Sequence, residues 1–341
     1  MQEKVLVAMS GGVDSSVAAV ILQNQGYAVG GATMLLSDNE PDAKDAKEVC
    51  DKLGIEHFTI DCREQFRKLI KKPFAESYLK AETPNPCVDC NKLIKFGLFL
   101  DFAKEHGYDL IATGHYVKRG EIGGVPVILC ADDKKKDQSY VLWQLSQDQI
   151  AHSVFPLSDI EKSEVRAIAE ERGLISAHKS DSQDICFVPD KDYAGFIRRE
   201  TACECAPGDF LDADGNVIGK HSGIINYTVG QRKGLGVAFG EPRYVLSKCT
   251  ETNTVTLGKN EELFKKKVYL RDINISAAFK LPARFDVKIR YAHAAQPAAV
   301  LMIDNNEILV EFDEPQRAPA PGQSAVIYAG DILVGCGIIT A

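Results

Sequence analysis

The 341-residue chain is 45% hydrophobic and 26% charged, with ten cysteines and a net charge of −8. That composition fits an ordinary globular protein of two or three domains and excludes disordered, fibrous and disulfide-framed classes. No apolar run approaches the roughly 20 residues of a membrane span, and the chain enters a strand at once with no signal peptide, so a cytoplasmic location, no membrane partner and mostly reduced thiols are expected.

In chain order, Val5–Ala8 is a short continuous apolar run, as in a parallel strand buried on both faces. Ser10-Gly11-Gly12-Val13-Asp14-Ser15-Ser16 follows, then an apolar periodic stretch from Val17 to Leu22 that stops at Gly26. This is strand, glycine turn and helix, an arrangement whose first-turn amides favour an anion. No lysine makes it a Walker loop, and Gly11-Gly12 does not supply a dinucleotide fingerprint. Three hydroxyls and the Asp14 carboxylate crowd the helix start instead, suited to a pyrophosphate with a magnesium ion near Asp14.

Strands are expected over 29–34, 57–60 and 109–113, and helices over 45–53, 64–75 and 93–106. The alternation predicts a doubly wound parallel sheet of the α/β class, with ligands at the carboxyl ends of its strands. Met9, Met34 and Gly114 fall at such ends. Between the second and third of these helices, Thr83-Pro84-Asn85-Pro86 forbids regular structure, so Asn85–Lys92 reads as a loop of set geometry. Ser158–Glu161 reads as a capping box opening a helix to Arg172. Beyond Asp209 glycines become dense, Asp212–Gly215 reads as a hairpin turn, and short alternating strands from Lys267 onward suggest a small barrel or sandwich, with 315–321 as a proline-bearing loop. The boundaries are 1–205 for the α/β domain, 206–266 for a β-rich central domain and 267–341 for a C-terminal β-barrel.

Cysteines carry the remaining chemistry. Cys87-x-x-Cys90 stands beside Lys92 and Lys95 just before a helix, where a thiol is biased toward thiolate. A structural zinc site is the alternative for such a pair, but the nearest second pair, Cys203-x-Cys205, has poor spacing for it. Cys186 ends the polar run Ser180–Ile185 and reads as a site loop, whereas Cys50, Cys62, Cys130, Cys249 and Cys336 read as packing residues.

The Ser10–Ser16 string resembles the loop of the ATP pyrophosphatase family, whose members adenylate an oxygen and expel pyrophosphate. Together with Thr83–Asn91, Ala112–Tyr116, Lys136–Tyr140, Asp181–Phe187 and Tyr227–Gly236, in that order, it resembles the bacterial tRNA-specific 2-thiouridylase family over essentially the whole chain. The resemblance implies ATP-dependent replacement of the 2-oxygen of the wobble uridine in the tRNAs for Lys, Glu and Gln by sulfur. It implies a nucleotide pocket from Ala8, Met9, Ser10, Gly11, Gly12, Val13, Asp14, Ser15, Met34 and Gly114. It makes Cys186 the carrier of a persulfide received from a sulfur-carrier protein, and Cys90 the thiol that frees the sulfur. Asn85, Pro86 and Cys87 match the loop that meets the target base. His115, Lys136, Asp137, Gln138, Arg290, Tyr291 and Gln323 match tRNA-contact positions.

Cys87 departs from the pattern, since many relatives carry an aspartate there that is proposed as an acid/base; Asp89, two residues on, is doubtful in that role. The departure opens a second route, in which Cys87, Cys90 and Cys186 hold an iron–sulfur cluster that delivers sulfide. The net charge is poor for a tRNA partner and gives no reason to expect DNA, but basic runs at Lys134–Lys136, Arg198-Arg199, Arg232-Lys233 and Lys265–Lys267 offer local phosphate contacts, with the glycine-flanked Arg232-Lys233 foremost. A pyrophosphate-loop ligase acting on a small molecule is the rival enzyme and would leave Cys90 and Cys186 without a role. A metal-binding module is the rival binder and would leave the loop unexplained.

Overall fold

The computed structural model describes residues 2–37, 42–174, 184–237, 240–304 and 306–340, with backbone alone at Asp42. The chain packs as two compact units. The first contains residues 1–70, 87–183 and 331–333, and the second contains residues 71–86, 184–330 and 334–341.

The first unit is built on five parallel strands in the order His57–Asp61, Ala28–Leu35, Lys4–Ala8, Leu110–Ala112, Ser153–Val154. The first strand of the chain is thus central, with its neighbours leading away to both sides, and the loop after it lies where the strand order reverses. Val5, Leu6 and Val7 are fully buried, as a strand covered on both faces requires. Helix Val13–Asn24 follows the loop and buries Val17, Ala18, Ala19 and Leu22 completely. The expected parallel sheet is therefore present.

Helical boundaries shift at prolines. The chain is helical from Arg63 to Leu79, longer than the 64–75 segment expected, with a π-helical stretch at Arg67–Lys71. Pro73 lacks an amide hydrogen, and the wider turn just before it absorbs the lost hydrogen bond. The expected loop Asn85–Lys92 is also corrected, because helix Pro86–Cys90 begins at its proline and runs into π-helix Asn91–Leu98 and helix Phe99–Glu105. Proline favours a first helical position because its missing N–H has no partner there. The capping box expected at Ser158 is absent: helix Lys162–Glu171 starts later, with Glu161 as N-cap and no side-chain capping bond. A reciprocal box forms at Ser146 and Gln149 instead.

In the second unit a four-stranded sheet runs Tyr244–Cys249, Thr254–Gly258, Gly208–Leu211, Val217–His221. Asp212 turns its hairpin by accepting the Asp214 and Asn216 amides at 3.0 and 2.8 Å. Helices Lys72–Leu79 and Tyr193–Thr201 share its core through Phe74, Tyr78, Phe196 and Phe210. Six further strands close into a barrel because Phe264–Ile275 pairs with both Ile308–Arg317 and Ile332–Ile339. Pro315 lies inside a strand rather than in the expected 315–321 loop, at the register shift opposite Lys265 and Lys267, where an unpaired position tolerates a residue without an N–H. Among the described residues no helix is long and apolar enough to cross a membrane.

Candidate functional site

The Ser10–Ser16 loop is preorganised by its own side chains. Ser10 N–H donates to Ser15 Oγ at 3.2 Å, Ser15 Oγ donates to Gly12 O at 3.1 Å, and Ser16 Oγ donates to the same carbonyl at 2.8 Å. Gly11 stands at φ 69°, a left-handed turn that side chains resist. Gly114 must also be glycine, because a Cβ there would lie 2.9 Å from Asp14 Cβ and 3.0 Å from the Ser15 nitrogen. The end of strand Leu110–Ala112 thus leads directly onto the loop. Ser10 is exposed, while Met9, Val13 and Ser15 are buried and Ala8 and Met34 are half-buried.

Asp14 does not face solvent alone. The Lys162 ammonium donates to both of its oxygens at 2.7 Å, and the Tyr116 hydroxyl donates to Oδ1 at 2.7 Å. Lys162 also lies 5.8 Å from the Tyr116 ring centroid. The carboxylate, near which the sequence leads one to expect a magnesium ion, is thereby matched to a protein cation. The arrangement holds a positive charge beside a loop of amides and hydroxyls, and that charge suits an anionic phosphate chain. Sequence reasoning missed both partners. The absence of a Walker lysine was itself the available signal, since a phosphate loop without its own cation draws one from another element, and Lys162 opens the helix that follows the sheet.

Cys87 is exposed in the first turn of helix Pro86–Cys90, and Cys90, at its end, is buried. Asp89 between them is partly buried; burial raises its pKa, opposed by the Lys92 charge and a hydrogen bond from Gln144. The π-helical turn beyond is braced from outside: Gln149 Nε2 donates to Lys92 O at 2.8 Å, and Asn91 Nδ2 donates to Val141 O at 3.0 Å. Such wide turns recur at functional sites.

His115 is buried, bonded through Nδ1 to Thr113 Oγ1 at 2.8 Å, and burial holds its pKa well below the ordinary value, so it stands neutral. Asp137 accepts from Ala131 N and Ser139 Oγ, and Gln138 Oε1 accepts the Tyr116 amide at 3.0 Å. These residues shape the loop in which Lys136 sits half-buried.

In the second unit Cys186 is exposed, and Asp184 beside it is held well down, to about 2, by the Tyr193 hydroxyl and Lys191. The preceding residues of that motif, 181–183, lie outside the described residues. Asn85 is half-buried and Pro86 buried. The turn before them is pinned by Thr83 N–H donating to Pro321 O at 2.7 Å and by Gln323 Nε2 donating to Thr83 O. Arg290 spends its guanidinium on the carbonyls of Val229 and Ala318 at 3.0 and 2.9 Å. Tyr291 is exposed, with the Lys288 ammonium 5.4 Å from its ring centroid. Gln323 and Arg290 thus hold backbone in this conformation. Among the described residues no three His, Cys, Asp or Glu side chains are gathered as metal ligands.

Residues 3–190 match the family model described as tRNA methyl transferase HUP domain, residues 195–259 the tRNA methyl transferase PRC-barrel domain, and residues 265–339 the aminomethyltransferase beta-barrel domain. A tRNA-specific 2-thiouridylase of Treponema denticola is 48% identical over 356 residues, covering 98% of this chain and 97% of that protein. One from Clostridioides difficile is 43% identical over 355 residues, covering 99% and 98%. Among solved structures, a 4-thiouridine synthetase–RNA complex with bound ATP matches at 17% identity and a TM-score of 0.36, over 55% of this chain and 45% of that one. The fold is accordingly a Rossmann-like HUP domain followed by a PRC-barrel and a C-terminal β-barrel, and the chain belongs to the tRNA-specific 2-thiouridylase family.

Proposed function

We propose that the protein catalyses ATP-dependent 2-thiolation of the wobble uridine of tRNA, through adenylation of the 2-oxygen and sulfur transfer from a cysteine persulfide. Segment 1–205 carries activation and sulfur transfer together with the tRNA contacts at Asn85–Cys87, His115 and Lys136–Gln138, and 267–341 adds those at Arg290, Tyr291 and Gln323. The observation that carries this reading is the serine-braced loop at the reversal of the sheet, with Lys162 and Tyr116 gripping Asp14. A loop of that kind takes the β- and γ-phosphates of ATP, and the lysine charge stabilises pyrophosphate as it leaves. The uridine 2-oxygen attacks the α-phosphorus, which turns a poor leaving group into AMP.

Sulfur then enters from Cys186, whose exposure suits loading by a donor protein. Its terminal persulfide sulfur attacks C2 and AMP departs. The buried Cys90, as thiolate, attacks Cys186 Sγ, and the S–S electron pair leaves with the sulfur now on the base. The products are 2-thiouridine and a Cys90–Cys186 disulfide, which an external thiol reduces. The iron–sulfur route is the second reading; it is favoured only by the presence of Cys87, and it assigns that thiol as a ligand.

The test is a reaction with ATP, magnesium, an unmodified tRNA transcript and a low-molecular-weight persulfide. The expected result is AMP formation that requires tRNA, and 2-thiouridine detected by nucleoside mass spectrometry from iron-free protein. AMP formation driven by a small amine or acid without tRNA would establish the ligase instead. Thiolation that appears only after anaerobic cluster reconstitution, and disappears in Cys87→Ser, would establish the cluster route.

A further inference from the structure

Cys203 and Cys205 lie in the loop after helix Tyr193–Thr201 with their sulfur atoms 3.3 Å apart. The contact is built by the loop. Ala202 ends the helix at φ 51°, a left-handed turn that reverses the chain. The Cys203 amide then donates to Thr201 Oγ1 at 3.3 Å, while Thr201 Oγ1 is itself tied to Ile197 O at 2.7 Å. On the other side, Cys205 packs against the core, and its carbonyl would meet a Cβ at Gly223 at 3.0 Å. Asn253 Nδ2 clamps the next two carbonyls, of Ala206 and Pro207, at 3.2 and 3.1 Å. Both thiols, with Arg198, line an open cavity of about 630 Å³.

We propose that Cys203 and Cys205 form a thiol–disulfide exchange site that takes low-molecular-weight disulfides from solution. Cys203 thiolate attacks one sulfur of the disulfide and expels the first thiol; Cys205 then attacks Cys203 Sγ and expels the second. Two electrons pass from the pair to the disulfide, and the protons of the two cysteines leave with the two thiol products. The order of attack follows from placement: Cys205 packs against the core, where burial and its neighbour Cys203 raise its pKa, so it is the second thiol to react. Closing the pair brings the sulfurs from 3.3 Å to about 2.05 Å, a movement within side-chain reach. Two thiols without a third ligand suit exchange better than a closed metal site: no group of three His, Cys, Asp or Glu is gathered here among the described residues.

The experiment equilibrates full-length reduced protein with mixtures of oxidised and reduced glutathione, traps remaining thiols by alkylation, and weighs the tryptic peptide spanning residues 200–220, whose only cysteines are these two. The expected product is the peptide short of two hydrogens and carrying neither label nor glutathione. In Cys205→Ser the exchange halts halfway, and glutathione on Cys203 rises about tenfold or more over wild type because nothing expels it. Cys249→Ser, in a strand of the same unit, leaves the closure unchanged. Glutathione adducts that are as abundant in wild type as in Cys205→Ser, or a peptide that stays fully alkylated across the mixtures, would overturn the proposal.

Discussion

Lys162 in the first packing unit and Lys248 in the second are both withdrawn from solvent, and the chain treats them in opposite ways. The Lys162 ammonium meets both oxygens of Asp14 at 2.7 Å and stands beside the Tyr116 ring. The Lys248 ammonium is buried with no hydrogen-bond partner among the described residues, and its surroundings are the Tyr78 ring at 5.9 Å and the charge of Glu82. Glu82 already bonds Arg271 at 2.6 Å. Burial therefore lowers the Lys248 pKa to about 8. A paired charge beside the Ser10–Ser16 loop is available to the proposed chemistry, whereas an unpaired one is a cost to folding.

The largest effect is expected at the pair. Lys162→Met removes the cation next to the loop, and Asp14→Ala removes the group that aims it; each is expected to lower tRNA-dependent AMP formation by about 10²–10³-fold. The double variant is expected to lose far less than the product of the two, because the residues act as a unit. Initial rates of AMP release at saturating ATP measure this. Additive losses would show that the salt bridge is structural and that the two residues serve separate tasks.

Gly114→Ala probes the same loop without touching its charges. The new Cβ would stand 2.9–3.0 Å from Asp14 and Ser15, so the loop must shift by part of an ångström while the sheet remains. A displacement of that order costs roughly 10–10²-fold in rate. The thermal midpoint should change little, and the separation of rate from stability is the readout.

How much of this was legible in the sequence follows the range of the interactions. The Val5–Ala8 strand, the Ser10–Ser16 turn and the helix after it are set by neighbours a few residues apart, and their pattern states them. The Lys162–Asp14 bridge spans 148 residues; the missing Walker lysine signals that a cation comes from elsewhere, but nothing in either local segment says from where. Pro86 and Pro315 misled for a different reason: each reads as a break, yet one occupies a helix start and the other a strand irregularity, the two places where a missing N–H costs nothing. Cys186 reads as a site residue from its polar run, and the structure leaves it exposed. Arg290 and Gln323 were readable only by resemblance, and their observed bonds are to backbone.

Lys248→Met isolates the unpaired charge. With a folded pKa of about 8 against the ordinary lysine value of 10.5, the buried ammonium costs about 3 kcal/mol at neutral pH. The folded pKa is the lower one, so the penalty is complete below pH 8. It fades as pH rises toward 10.5, where the unfolded chain still holds a proton that the folded chain has released. Methionine keeps the length and the contact with Tyr78, so the variant should be more stable by about 2–3 kcal/mol at pH 7, with an advantage that shrinks as pH rises from 8 to 10.5. Denaturant midpoints at several pH values decide it, and a destabilised variant would mean that the amine has a partner in the functioning protein.

The third kind of lysine in the comparison is exposed and has no ion-pair partner among the described residues. Lys233 is exposed, and its carbonyl accepts from Gln231 Nε2 at 3.0 Å while Gly234 and Gly236 take left-handed turns at φ 76° and 77°. The backbone is shaped but the ammonium extends into water, where a phosphate can replace its hydration. Lys233→Ala is therefore expected to leave stability and AMP chemistry at saturating tRNA unchanged, because nothing folded depends on the charge. It should weaken tRNA binding modestly and reduce the slope of log affinity against log salt by about one. Filter binding or fluorescence anisotropy over a series of salt concentrations measures that slope. An unchanged slope removes Lys233 from the interface, and a loss of thermal stability would show that the fold depends on its charge.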